Sequence, residues 1–145
     1  MSAGQSENTP LVVDASVVIK WFIPEEDSTA AARLLSGRYR LIAPDLIWAE
    51  FANVIWKYER KRLLKKDEAT EILRQFIRSP IEIYRSDAIL EHAMEIALNT
   101  QRTVYDCLYI ALASREGCDM VAADQRLVNA LHGSRLKSKI RLIGT

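Results

Sequence analysis

Four carboxylic acids in this sequence stand in or beside apolar stretches, where an ionised side chain needs compensation. They are Asp14, Glu50, Asp106 and Asp124. Moving such a charge out of water costs on the order of several kcal/mol, so these groups are expected to have a partner, a raised pKa or a function. A set of carboxylates suits Mg²⁺ or Mn²⁺ better than zinc. Because such an ion activates water and polarises phosphoryl oxygens, the implied chemistry is phosphodiester hydrolysis.

The elements that would position these acids alternate along the chain between short runs rich in Val and Ile and longer helical patterns. Predicted strands cover residues 11–13, 39–43, 81–84, 119–123 and 139–143, and predicted helices cover residues 16–22, 28–35, 46–62, 67–79, 87–99 and 104–116. Parallel strands need crossover connections, which helices normally provide. The predicted fold class is therefore α/β, with a central, mainly parallel sheet and helices on both faces.

In this arrangement the four acids are expected to meet at one edge of the sheet. Asp14 and Asp124 stand at predicted strand ends, and Glu50 and Asp106 fall near the starts of predicted helices. The carboxyl ends of parallel strands and the amino ends of the following helices gather along one edge, where open α/β folds bind ligands.

Each acid also has a purely structural interpretation. Asp14 could begin a turn, and Asp124 could cap the helix that follows it. The segment from Thr103 to Asp106 fits the capping-box pattern, in which the carboxylate reaches back to the first amide of the helix. Glu50 could pair with a lysine two turns later or with a neighbouring helix. The conjunction of all four acids favours a metal site.

The composition indicates one soluble domain. The chain has 145 residues, of which 49% are hydrophobic and 27% are charged, and a formal net charge of +1, which predicts neither a nucleic-acid partner nor its absence. Residues 1–10 are expected to form a disordered leader before a single domain at 11–145. Cys107 and Cys118 are too few for a disulfide framework, and no apolar run is long enough to span a bilayer. A cytoplasmic protein without a membrane contact is expected.

Four motifs together resemble a known family. They are LVVDASVVIKWF at 11–22, APDLIWAEFANVIWK at 43–57, TVYDCLYIALA at 103–113 and MVAADQRL at 120–127. In this order and spacing they resemble PIN-domain ribonucleases, in particular VapC-type toxins of bacterial and archaeal type II toxin-antitoxin pairs. The likeness covers nearly the whole predicted domain and implies a three-layer PIN-like fold.

The resemblance also implies roles for individual residues. Asp14, Glu50 and Asp106 match the three core acids that hold Mg²⁺ or Mn²⁺. Asp124 matches a fourth acid, which would assist a second ion or the attacking water, and Ser16 matches a hydroxyl that orients the site. The family commonly has Thr or Ser two places before the fourth acid, where this chain has alanine. The implied partners are an RNA substrate, a VapB-like antitoxin and a second copy in a homodimer.

The resulting prediction is a metal-dependent endoribonuclease. One alternative is a non-catalytic metal- or peptide-binding module of PIN fold. Another is a phosphoacceptor signalling domain, which requires an acceptor Asp at a strand end; the helical placement of Glu50 and Asp106 counts against it. Two basic clusters, at 60–66 and 135–141, are interpreted mainly as solvated surface with some capacity to bind RNA phosphates. The RNA target and the number of metal ions stay open.

Overall fold

The fold is built on a five-stranded, all-parallel sheet. The structure is a computed structural model that describes residues 8–131 and 140–144. The strand order is β3-β2-β1-β4-β5, and the strands are β1 (Thr9–Val13), β2 (Tyr39–Pro44), β3 (Glu82–Tyr84), β4 (Asp119–Ala122) and β5 (Ile140–Leu142). This confirms the predicted α/β class and parallel sheet.

Seven α-helices flank the sheet within the described residues. They are α1 (Ala15–Val18), α2 (Ser28–Ala32), α3 (Leu46–Arg60), α4 (Lys66–Ile77), α5 (Leu90–Thr100), α6 (Val104–Glu116) and α7 (Gln125–Ala130). Helices provide the crossovers that parallel strands require, and this explains why they alternate with the strands along most of the chain.

The core is centred on β1 and α6. Strand β1 lies between β2 and β4, and Val12 and Val13 are completely buried, as expected for a strand that is covered on both faces. Helix α6 packs against β1, β2 and β4, and seven consecutive residues from Cys107 to Ala113 are buried. A helix that is apolar on all sides lies inside the protein.

Aromatic side chains join α3 to α4. The rings of Phe51 and Phe76 stack with their centroids 3.9 Å apart. Trp48 packs edge-on against Phe76 at 5.3 Å, and Phe22 packs edge-on against Phe51 at 5.6 Å. Because Phe51 follows Glu50 directly in the chain, this cluster holds the part of α3 that carries one of the predicted site acids.

Several predicted helix boundaries differ from the structure. The predicted helix at 16–22 is the short α1 followed by a 3₁₀ turn at Ile19–Trp21, and the one at 28–35 is α2 followed by a 3₁₀ turn at Arg33–Leu35. Helix α4 begins at Lys66 and not at the predicted cap Asp67, because the side chain of Glu68 accepts a hydrogen bond from the Lys65 amide at 2.8 Å.

The ends of the chain differ in smaller ways. Strand β1 begins at Thr9, so the last two residues of the predicted leader belong to the sheet, and residues 1–7 lie outside the described residues. The last predicted strand, 139–143, is observed as β5 from Ile140, and residue 139 lies outside the described part. In the part of the chain that the structure describes, no helix is long and apolar enough to cross a membrane.

Candidate active site

Asp14 stands at the carboxyl end of β1 and caps α1. Its Oδ1 accepts hydrogen bonds from the Ser16 hydroxyl at 2.6 Å and from the Val17 amide at 3.1 Å. The Ser16 oxygen in turn accepts a hydrogen bond from the Ala123 amide at 3.3 Å. Ser16 therefore ties the end of β1 to the end of β4, and it holds one oxygen of Asp14 in a defined position.

Glu50 lies on α3 and is held by a tyrosine of α6. The Tyr109 hydroxyl donates a hydrogen bond to Glu50 Oε1 at 2.5 Å. Tyr109 is only 2% exposed, and burial together with the nearby carboxylates raises its pKa far above the usual range. The phenol therefore keeps its proton and acts as a permanent donor to Glu50.

Asp106 lies in the first turn of α6 and has two different partners. Its amide donates to the Thr103 hydroxyl at 3.2 Å, which is the backbone half of the capping-box interpretation. Its carboxylate makes a different contact, because Oδ2 accepts a hydrogen bond from Arg102 Nη2 at 2.9 Å. The capping-box interpretation therefore accounts for the backbone of Asp106 and leaves its side chain available for other contacts.

The pKa values of these acids show that three of them interact. Burial of the carboxyl group raises the pKa of Asp14 to about 6, against the opposing effect of hydrogen bonds from Ser16 and Val17, and the negative charges of Glu50 and Asp106 raise it further. The pKa of Glu50 is raised by burial and by Asp106, while the Tyr109 hydroxyl lowers it. Like charges repel over short distances, so the fold brings Asp14, Glu50 and Asp106 into one acidic cluster.

Asp124 makes a different set of contacts. It stands two residues after the end of β4, at the same edge of the sheet as Asp14, which follows the neighbouring strand β1. Its Oδ1 caps α7 by accepting a hydrogen bond from the Arg126 amide at 2.9 Å, and Arg126 Nε lies 3.7 Å away. This is the helix-capping alternative that its sequence position allowed. Its part in a metal site stays a prediction.

The donor chemistry of the acidic cluster fits a hard divalent cation. Asp14 and Glu50 have raised pKa values, which indicates buried negative charge without a full counter-charge. At residues 8–131 and 140–144, however, no three His, Cys, Asp or Glu side chains are arranged as a metal site. Ser16, Tyr109 and Arg102 each contact one oxygen of Asp14, Glu50 and Asp106 respectively.

Comparison with known proteins identifies the family. The family model described as "PIN domain" matches residues 11–131. The chain belongs to the PIN domain family. A curated relative, Ribonuclease VapC3 from Pyrobaculum aerophilum, is 37% identical over 120 residues, which cover 81% of this chain and 91% of that protein. Ribonuclease VapC9 from Mycobacterium tuberculosis is 29% identical over 117 residues, covering 81% and 87% of the two chains. The chain is thus a VapC-type PIN protein, as its motifs predicted.

Solved structures agree on the PIN fold. PAE2754 from Pyrobaculum aerophilum superposes with a TM-score of 0.68 at 21% identity, over 86% of this chain and 81% of that one. VapC20 from Mycobacterium tuberculosis, described as a sarcin-ricin loop cleaving toxin, gives 0.63 at 15% identity over 83% and 94%. A toxin-antitoxin complex from Klebsiella pneumoniae gives 0.62 at 11% identity over 90% and 95%. At these identities the likeness concerns the fold alone.

Two residues of this PIN domain that contact the acidic cluster were not singled out from the sequence. They are Tyr109 and Arg102. Relative to Asp106 they stand at i+3 and i−4, the spacings at which side chains share one face of a helix or its first turn. That spacing is a signal that the sequence does contain.

We expect Tyr109→Phe to lower nuclease activity by roughly ten- to a hundredfold, the usual range when a group that orients a ligand is removed. Phenylalanine keeps the buried ring but loses the donor that holds Glu50 Oε1. Initial cleavage rates on a labelled RNA oligonucleotide would measure the loss. The matched control is Tyr105→Phe, on the same helix but 62% exposed. Equal rates for Tyr109→Phe and the wild type would show that this contact does not orient Glu50 for catalysis.

Proposed function

We propose that this chain is an endoribonuclease that hydrolyses RNA phosphodiester bonds and acts as the toxin of a VapBC-type toxin-antitoxin pair. The observation that carries the proposal is the acidic cluster of Asp14, Glu50 and Asp106 in a PIN domain. The name of its relative, Ribonuclease VapC3, supports the activity. Three carboxylates brought close together from distant parts of the chain repel one another and lower the stability of the fold, so they are expected to serve a function.

In this proposal Asp14, Glu50 and Asp106 would hold Mg²⁺ or Mn²⁺. When bound, such an ion lowers the pKa of water and stabilises negative charge on a phosphoryl group. Carboxylate oxygens are the ligands that these hard ions prefer. Asp124 would assist a second ion or the attacking water, because it stands at the same sheet edge as Asp14.

The other residues of the site have positioning roles in this proposal. Ser16 and the Val17 amide hold Oδ1 of Asp14, which leaves Oδ2 for a ligand. The Tyr109 hydroxyl likewise donates to Oε1 of Glu50, which leaves Oε2 free to bind a ligand. Orientation by a second layer of hydrogen bonds is the usual way in which proteins fix metal-ligating carboxylates. Ser16 orients the site in this sense.

Removal and return of the metal tests this function. We expect the purified chain to cleave RNA in Mg²⁺ or Mn²⁺, to lose essentially all cleavage after treatment with EDTA, and to recover it when either ion is added back. Cleavage of a labelled RNA is followed on a denaturing gel, with a Glu50→Gln preparation to detect contaminating nucleases. Undiminished cleavage in EDTA would contradict the metal-dependent mechanism. Binding of Mn²⁺ without cleavage would instead favour the non-catalytic module.

The partners of the chain are also proposed. An antitoxin is supported by the toxin-antitoxin complex among the solved structures that share the fold. A homodimer is supported by the exposed apolar residues Leu90, Met94 and Leu98, which follow one another at four-residue spacing along α5 and so share one face. The two free cysteines, both buried, fit a reducing compartment such as the cytoplasm.

A further inference from the structure

Arg102 contacts the acidic cluster from within the chain itself. Among the ion pairs of residues 8–131 and 140–144, Arg102 is the residue that pairs with one of the three acids, through Nη2 to Asp106 Oδ2 at 2.9 Å. Both side chains are partly buried, at 27% and 34% exposure. At that burial an ion pair is screened less than one in open solvent, so Arg102 offsets part of the charge of the cluster.

The contact between Arg102 and Asp106 is not an optimised structural ion pair. A guanidinium can grip a carboxylate through two parallel hydrogen bonds, whereas here the hydrogen bond is made by Nη2 alone. The Nε atom of Arg102 is buried and has no hydrogen-bond partner in the described structure. An unsatisfied buried donor has a free-energy cost and calls for an explanation. In the described structure the guanidinium therefore makes one hydrogen bond to Asp106 and leaves Nε unsatisfied.

Asp106, in contrast, is anchored through its backbone. Its amide binds the Thr103 hydroxyl at 3.2 Å, and it lies within the regular α6. The carboxylate therefore stays beside Asp14 and Glu50 when its contact with Arg102 breaks. The two partners differ in length and placement: Asp106 is a short side chain within the helix, and Arg102 is a long side chain just before the helix cap Thr103.

We propose that Arg102 is an internal counter-ion of the acidic cluster that competes with the divalent cation for Asp106, and that it releases this carboxylate when the cation binds. The inference rests on the proposed function, since it requires a cation site at the cluster. Arg102 would then be a positioning residue that sets how tightly the metal is held. Its effect is on affinity, because a ligand must displace whatever occupies the same group.

The test is the affinity for Mn²⁺, measured by isothermal titration calorimetry on the full chain without RNA. We expect Arg102→Gln to lower the dissociation constant by roughly fivefold, because the competing contact is gone. Arg102→Lys, which keeps the charge, should lie near the wild type. Arg115→Gln is the matched control, because it removes the same charge from the opposite end of α6, where Arg115 Nη1 donates to the Ala88 carbonyl at 3.4 Å.

The outcomes separate the inference from the function on which it rests. An unchanged or higher dissociation constant in Arg102→Gln, with normal Mn²⁺ binding by the wild type, would overturn the inference alone. Equal tightening in Arg115→Gln would overturn it as well, since it would then reflect net charge. Mn²⁺ binding that is absent in the wild type, or unaffected by Asp14→Asn, would overturn the metal site and the inference together. Thermal unfolding of each variant would confirm that the fold is intact.

Discussion

Asp14→Asn is expected to abolish metal-dependent RNA cleavage while leaving the protein folded. The substitution keeps the shape of the side chain and an oxygen that can accept from Ser16 and Val17, the two donors seen at Oδ1. It removes one of the negative charges by which the proposed site would hold a divalent cation. We expect a loss of at least about a thousandfold in the cleavage rate, the scale on which removal of an essential catalytic group acts.

The matched control for this variant is Asp87→Asn. Asp87 is an exposed acid that pairs with Arg85 at 2.8 Å, far in sequence from Asp14, Glu50 and Asp106. Both variants lose one negative charge, so a general effect of net charge on RNA binding would act on both. Cleavage by Asp14→Asn at more than a few per cent of the wild-type rate, with folding confirmed by circular dichroism, would remove Asp14 from the catalytic site.

The same substitution should stabilise the protein at neutral pH when metal is chelated. The pKa of Asp14 is about 6 in the folded chain, against an ordinary value of 3.8. The folded state thus binds the proton more tightly, so stability falls as pH rises from about 4 to about 6 and stays lower above that range. An asparagine at this position cannot ionise, so the variant should gain on the order of 2 kcal/mol at pH 7.5 and little at pH 4. Urea unfolding in EDTA at both pH values measures this difference.

Phe76→Ala is expected to cause the largest loss of stability, about 3–5 kcal/mol in the free energy of unfolding. Phe76 is 1% exposed, stacks on Phe51 and receives the edge of Trp48, so its removal leaves a cavity between α3 and α4. Chemical denaturation monitored by tryptophan fluorescence gives the value directly.

A neighbouring residue provides the control for Phe76. Ile77 is also a large apolar residue of α4, but it is 57% exposed, and Ile77→Ala should change the free energy of unfolding by no more than about 0.5 kcal/mol. Similar losses in the two variants would mean that the aromatic cluster contributes no more than ordinary helix propensity does. The comparison isolates packing from the intrinsic preference of the helix for alanine.

The prediction of a site at this sheet edge came from acids that stand where an element ends or begins. Asp14 follows a continuous apolar run and Asp106 stands three residues after a capping threonine, and both signals are local. The parallel sheet then places strand ends together, so adjacency of the acids follows from topology without any knowledge of side-chain contacts. Asp124 was identified in the same way, but its carboxylate caps α7, because the first amides of that helix lie within its reach.

The partners of the acids could not be predicted, because they depend on how two helices are rotated against each other. The stretch of α6 from Cys107 to Ala113 is buried on all sides, so its sequence has no polar face to show which residues point toward Glu50. Tyr109 was interpreted only as part of an apolar stretch for this reason. Arg102 lies outside the helix, and its contact with Asp106 depends on the backbone that enters the cap, where Gln101 has a positive φ of 62°.

The pairing of β1 with β4 bears on when the parts of this nuclease can come together during synthesis. Leu11 pairs with Asp119, and the Ser16 hydroxyl accepts a hydrogen bond from the Ala123 amide. One neighbour of the central strand β1 therefore lies more than 100 residues later in the chain. Contacts of such long range form late, and domains emerge from the ribosome amino end first. Synthesis therefore delivers Asp14 more than 100 residues before the Ala123 amide that binds Ser16. We therefore expect the hydrogen-bonded surroundings of Asp14 to stay incomplete in a nascent chain until residues 119–123 have left the ribosome.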